Sequence, residues 1–209
     1  MSPNTSPGPR ERLLAAGQQL FYSRGASVGL DALLKEASVA RRSLYEHFGG
    51  KDGLVAAVLR RASDEDLAWY EDALASATEP RARLLGLFDR LDELVSTPDF
   101  RGCRYFATDL SFADPRHPAH AETDAYRQRL RALLVRELEA LGHAHPERAA
   151  EQLHLLIEGT LVMGATQGDQ HPARAARDLA AIVLDERCRP EEHDPHPRRD
   201  HASQRTSKS

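Results

Sequence analysis

Residues 38–48 read SVARRSLYEHF and hold only two large apolar anchors, Leu44 and Phe48. On a helix these two, four positions apart, stack on one face. Arg41, Arg42, Ser43, Tyr45 and His47 then occupy the remaining faces, which makes the segment poor core material but a good display of hydrogen-bond donors. So short a helix is not stable in water by itself, and its anchors must pack on helices nearby. The residues just before it, GLDALLKEA, predict a short helix from about Leu30 to Ala37, with Gly29 as N-cap and Leu30, Leu33 and Leu34 on one apolar side. Only SVA separates the two helices, and Val39 supplies the apolar plug their junction needs. This arrangement places a second helix in the DNA major groove.

Working outward, the periodicity is helical nearly everywhere, with proline opening helices and glycine closing them. The first helix is expected from near Pro9 through Leu13, Leu14, Leu20 and Phe21, closed by Gly25 in a left-handed cap. After the quoted stretch, GGK breaks the chain. A fourth helix, Lys51 to about Leu74, would span roughly 35 Å at ~1.5 Å per residue, enough to join two modules. Further helices are expected from Pro80 to the STPD turn, from Arg104 to Phe112, from Pro118 to Leu141 with Gly142 as its stop, from Glu147 to about Gln167, and from Pro172 to about Arg187. No strand pair and no internal repeat is found. The expected fold class is all-α with about nine helices, the first three forming a helix-turn-helix unit.

Charge divides along the same line. The chain carries a net charge of −4, which alone disfavours a polyanion partner. Residues 1–60 nevertheless hold eight Lys or Arg against five Asp or Glu, whereas residues 61–188 hold fifteen against twenty-three. A basic N-terminal end joined to an acidic remainder reads as a DNA-facing module attached to one with another task. No segment has the apolar length to cross a bilayer and the N-terminus lacks a signal peptide's hydrophobic centre, so the expected location is the cytoplasm, with nucleoid association when bound to DNA. Cys103 and Cys188 match no metal-ligand spacing and read as reduced thiols.

The stretches LLAAGQQLFYSRG and GLDALLKEASVARRSLYEHFGGKDGL resemble the N-terminal DNA-binding domain of the tetracycline-repressor (TetR) family over roughly residues 9–58. The similarity lies in the first helix's LF followed by glycine, the A-x-V turn, the L-Y-x-H-F core of the recognition helix, and the Lys-acid-x-Leu start of helix four. Residues 102–118, GCRYFATDLSFADPRHP, are similar to a segment in the C-terminal halves of one TetR subgroup. Two positions depart from the family pattern: Ser38 stands where glycine is common in the turn, and Ala40 where Ser or Thr caps the recognition helix. Arg42 occupies a position where a small residue is frequent.

From the chemistry of the groups, Arg41 and Arg42 are expected to fork onto guanine or hold phosphates, and Ser43, Tyr45 and His47 to make phosphate and base-edge contacts. Lys51 is placed to meet a phosphate beside the free amides of helix four. The resemblance implies a homodimer through the last two helices, with stripes Leu153, Leu156, Ile157, Leu161 and Ala176, Leu179, Ala180, Val183, and with Gly159, Gly164 and Ala165 permitting close approach. It also implies an effector pocket, for which the candidates are Trp69, Phe88, Leu91, Phe106, Leu110, Tyr126, His154 and Glu158. The domain plan is a disordered N-terminus (1–8), a helix-turn-helix DNA-binding domain (9–50), a helical effector-binding and dimerisation domain (51–188) and a disordered tail (189–209). The expected function is that of a one-component DNA-binding regulator, a repressor released from a palindromic operator by a small, largely apolar effector. A constitutive dimer without an effector is the nearer alternative. A helical metal-dependent enzyme is the farther one: it would draw on pairs such as His117 with His120, His143 with His145, and His193 with His196. No H-E-x-x-H, nucleophile elbow or phosphate loop supports it, and no metal or cofactor is expected.

Overall fold

In the computed structural model, residues 7–166 and 171–185 are described. They form helices only: α1 (Pro9–Arg24), α2 (Leu30–Ala37), α3 (Arg41–Phe48), α4 (Lys51–Leu74), α5 (Pro80–Val95), α6 (Arg104–Ser111), α7 (Pro118–Leu141), α8 (Pro146–Thr166) and α9 (Pro172–Leu184). The all-α expectation and the helix order are met, and most boundaries fall within one or two residues of those expected. The expected ends of α8 at Gln167 and α9 at Arg187, residues 1–6, Cys188 and the tail from 189 lie outside the described residues.

Helices α1 to α3 close a small core of Leu13, Leu14, Leu20, Leu33, Ala37 and Leu44, completed by Leu54 and Val58 from the first turns of α4. Leu44 is wholly buried, a contribution of roughly 1.5–3 kcal/mol, which is what seats α3. Two glycines allow this core to be tight. A Cβ at Gly17 would stand 2.8 Å from a Val58 methyl, so α1 and α4 cross with almost nothing between them. A Cβ at Gly53 would collide with the carbonyl oxygen of Phe48, so the start of α4 lies directly against the end of α3. Arg61 of α4 pairs with Glu11 of α1 and fastens the same crossing.

One turn differs from expectation and another keeps to it. Gly25 has φ 82° and ψ 163°, so it closes α1 with an extended, positive-φ residue rather than a left-handed cap. Ser38 does adopt the left-handed conformation, φ 51° and ψ 48°. Serine meets a steric cost there that glycine would not. The turn is held by the Val39 amide on Leu34, 3.2 Å, and by Arg12, which donates to the Ser38 carbonyl at 3.0 Å.

The second core fills the space among α4, α5, α7, α8 and α9 with Leu74, Leu84, Leu87, Phe88, Leu91, Leu130, Leu134, Leu138, Leu153 and Ile157. Of the stripes expected at a dimer interface, Leu153, Ile157, Leu161, Ala176 and Ala180 are spent on this interior, and Gly164 packs on Val95 of α5. Periodicity alone does not separate inner from outer apolar faces, and here α8 and α9 have both. The outer one carries Leu155 and Met163 on α8, with Leu179 and Ile182 on α9, all exposed. Gly159 lies between the first two on the same face, with open space beside it.

Candidate DNA interface and interior cavity

Helix α3 turns Leu44 inward and leaves Arg41, Arg42, Tyr45, Glu46 and His47 exposed, with Ser43 half-buried. Its outer end is fixed by Arg10 of α1 over the Phe48 ring, 5.6 Å from the centroid. Ala40 supplies no side-chain cap, and Ser38 does not replace it. Both arginines are already paired: Arg41 donates to Asp31 of α2 at 2.7 Å and Arg42 to Glu46 one turn on at 2.5 Å. Such exposed pairs are worth a few tenths of a kcal/mol to about 1 kcal/mol, so a phosphate or a guanine edge can displace the carboxylates. Lys51 begins α4 after Gly50, at a helix N-terminus whose first amides have no intrahelical partner. All six expected DNA contacts therefore lie on α3 or at the adjoining start of α4.

A half-open cavity of about 270 Å³ lies between the second module and α1. Trp69 and Tyr126, both expected at a pocket, line it. Phe88 and Leu91 do not: they are sealed in the core. Phe106 and Leu110 lie on the outer side of the short helix α6, and Leu110 is 74% exposed. His154 and Glu158 stand beside the wall, their closest atoms 3.6 Å apart, and Glu158 reaches the cavity through the thiol of Cys103, which donates to it at 3.4 Å.

The rest of the lining comes from residues the sequence reading passed over: Tyr22, Glu65, Asp66, Tyr70, Leu94, Phe100, Gly102, Cys103, Arg104, Tyr105 and Leu161. Tyr105 stacks on Tyr126 with centroids 3.7 Å apart, and Trp69 meets Tyr70 edge-on at 5.1 Å. Asp66 accepts from the Tyr105 hydroxyl at 2.8 Å and faces Arg104 at 3.4 Å. Burial raises the Asp66 carboxyl above its ordinary range, against the pull of Arg104 and of the Tyr105 hydrogen bond. Burial also pushes the Cys103 thiol up to about 12, with Glu158 adding to it, so the thiol is protonated and a donor at neutral pH.

Tyr22 belongs to α1, in the DNA-facing module, yet it lines the cavity. Its hydroxyl accepts from the Arg101 amide at 2.9 Å, and its ring lies under the Arg104 guanidinium, 5.0 Å from the centroid.

Three of the histidines weighed as metal ligands are engaged structurally. His117 caps α7, His120 meets Asp109, and His143 reaches the Val183 carbonyl at 3.0 Å. Among the described residues no three His, Cys, Asp or Glu side chains come together as a metal site would require, and no helix is long and apolar enough to cross a membrane.

Residues 13–58, which contain α3 and its supports, match the family described as bacterial regulatory proteins, tetR family. Along nearly its whole length the chain is similar to a solved tetr-transcriptional regulator of Streptomyces avermitilis, at 34% identity and a TM-score of 0.71 over 84% of this chain and 99% of that one. The chain belongs to the TetR family. A second solved TetR-family regulator, SCO4454 of Streptomyces coelicolor, superposes with a TM-score of 0.77 at 29% identity, covering 84% of this chain and 94% of that one. Among curated relatives, the HTH-type transcriptional regulator YjdC of Escherichia coli is 25% identical over 183 residues, 86% of this chain and 96% of its own length. The chain is thus a TetR-type transcriptional regulator and not an enzyme, and TetR regulators bind DNA as dimers.

Proposed function

We propose that this TetR regulator is a repressor that grips a palindromic operator with two copies of α3 and releases it when a small effector fills the cavity. Arg41, Arg42, Ser43, Tyr45, His47 and Lys51 make the DNA contacts, the arginines exchanging Asp31 and Glu46 for phosphate or base edges. Two-fold symmetry comes from the outer apolar face of α8 and α9, where Leu155, Met163, Leu179 and Ile182 meet their counterparts.

The observation that carries the effector half of this reading is Tyr22. A residue of the DNA-facing module forms part of the cavity wall, so a ligand there has differential contacts with two positions of α1 and α4. A constitutive dimer would have no use for such a wall.

The test is a mobility-shift titration against DNA flanking the protein's own gene at moderate salt, followed by sedimentation of the free protein. A saturable shift that resists nonspecific competitor, together with a dimer that Leu179→Glu or Ile182→Glu dissociates, supports the reading. A monomer at micromolar concentration that still saturates a palindromic site would overturn the dimer interface.

A further inference from the structure

We infer that the cavity takes a protonated organic amine carried on a small aromatic or apolar body. This rests on the effector reading above and narrows it by charge. Two carboxylates, one on the cavity wall and one behind it, carry oxygens that lack donors. Both partners of Asp66, the Tyr105 hydroxyl and Arg104 Nε, converge on its Oδ2, and its Oδ1 accepts no hydrogen bond among the described residues. Glu158 uses Oε1 for the Cys103 thiol, and its buried Oε2 has no partner. His154 Nε2 is 3.6 Å from Glu158 Oε1, beyond hydrogen-bond range, and is unpartnered too. Asp66 lines the cavity and Glu158 stands behind Cys103 on its wall, so an N–H group brought by a ligand meets Asp66 Oδ1 directly and the charge of Glu158 through the thiol.

The charges point the same way. Glu65 is held by Gln18 and Arg61, so the local balance is set by Asp66 and Glu158 against Arg104, whose guanidinium is already stacked on Tyr22. Burial is the first cause that raises Tyr70, Cys103 and Tyr105 above their ordinary ranges; Glu158 adds to the rise of Tyr70 and Cys103, and Asp66 to that of Tyr70 and Tyr105, in keeping with the negative charge at this wall. A ligand carboxylate would meet like charge there. A neutral apolar ligand would fill the space and leave Asp66 Oδ1 without a donor.

The rings supply the remaining recognition. Trp69, Tyr70, Tyr105 and Tyr126 line the space, and aromatic rings attract a cation electrostatically through whatever face is left open to it. A volume of about 270 Å³ lies at the lower edge of the usual range for small-molecule sites and suits one ring with a short chain.

Trp69 is the chain's one tryptophan and lines the cavity, so intrinsic fluorescence reports occupancy directly. Three probes share a phenyl body and differ in the head group: 2-phenylethylamine, 2-phenylethanol and 3-phenylpropanoate, each titrated into the full-length protein at neutral pH. The expected result is a saturable Trp69 response to the amine, with the alcohol at least about tenfold weaker and the carboxylate weaker still. Asp66→Asn and Glu158→Gln, each checked by circular dichroism, should narrow the amine-to-alcohol ratio. The inference is overturned if the alcohol or the carboxylate binds as tightly as the amine, if no probe gives a saturable response, or if neither variant alters the ratio. Operator release separates the two readings: an amine that fills the cavity but leaves the DNA complex intact upholds the ligand class and sinks the regulatory role. Release by a neutral compound without amine binding does the reverse.

Discussion

The Arg104 guanidinium of α6 lies over the ring of Tyr22 in α1, and both residues line the cavity as well as the open groove between α1 and the segment before α6. A ligand cannot enter along this side without disturbing the contact between the DNA-facing module and the rest. Tyr22→Ala should therefore leave operator affinity within about threefold while weakening effector-induced release, because it removes a coupling contact and no DNA contact. Mobility shifts with and without saturating effector measure both quantities. Full release in the variant would show that coupling runs elsewhere.

Arg42 is exposed and tied only to Glu46, so its removal should spare the fold. Arg42→Ala is expected to weaken operator binding by about 1–3 kcal/mol with an unchanged melting temperature. Glu46→Gln should act oppositely, tightening binding by releasing the arginine and removing a negative charge near phosphate. Equal affinity of wild type and Arg42→Ala in a titration would remove Arg42 from the interface.

The contact between Gly53 and the Phe48 carbonyl leaves no room for a methyl. Gly53→Ala should destabilise the N-terminal module by about 1–3 kcal/mol and reduce DNA binding by displacing α3. Urea unfolding followed by circular dichroism would register the loss. An unshifted midpoint would mean that α3 and α4 can separate freely.

His120 places Nδ1 2.9 Å from an Asp109 oxygen and Nε2 3.1 Å from the Asp114 carbonyl, two acceptors that only the imidazolium can serve at once. The hydrogen bond it donates to Asp109 raises its pKa, desolvation opposing it, and Arg127 shares the same carboxylate at 2.8 Å. A histidine raised on folding stabilises fully below its unfolded pKa of about 6.5, and that stability is lost as pH rises through the folded value. The melting-temperature gap between wild type and His120→Gln should thus be larger at about pH 5.5 than at about pH 8.5. A gap that does not vary with pH would place a neutral imidazole there.

Helix order, the turn at Ser38 and the exposed face of α3 were legible because each depends on residues close in sequence: a spacing of four, a proline, a glycine. The cavity was not. Its wall draws on α1, α4, α5, the segment before α6, α6 itself, α7 and α8. Period 3.6 marks Phe88 and Tyr126 alike as inward, but only packing decides that one meets solid core and the other a void. Phe106 and Leu110 misled for a related reason: α6 is so short that its apolar residues need not all face the same neighbour. Tyr22 looked like a routine residue of α1, and no local signal could announce that its partners would be Arg101 and Arg104.

Helix α4 also works as a gear. It spans 24 residues, about 36 Å at 1.5 Å per residue, and its first turns are locked to α1 at Gly17 and to α3 at Gly53. A tilt of only ~5° about its far end carries α3 sideways by ~3 Å, close to the 3.4 Å that separates successive base pairs. In a two-fold pair the displacement counts twice. In the proposed release, a change of a few degrees would therefore be enough to put two recognition helices out of step with their half-sites.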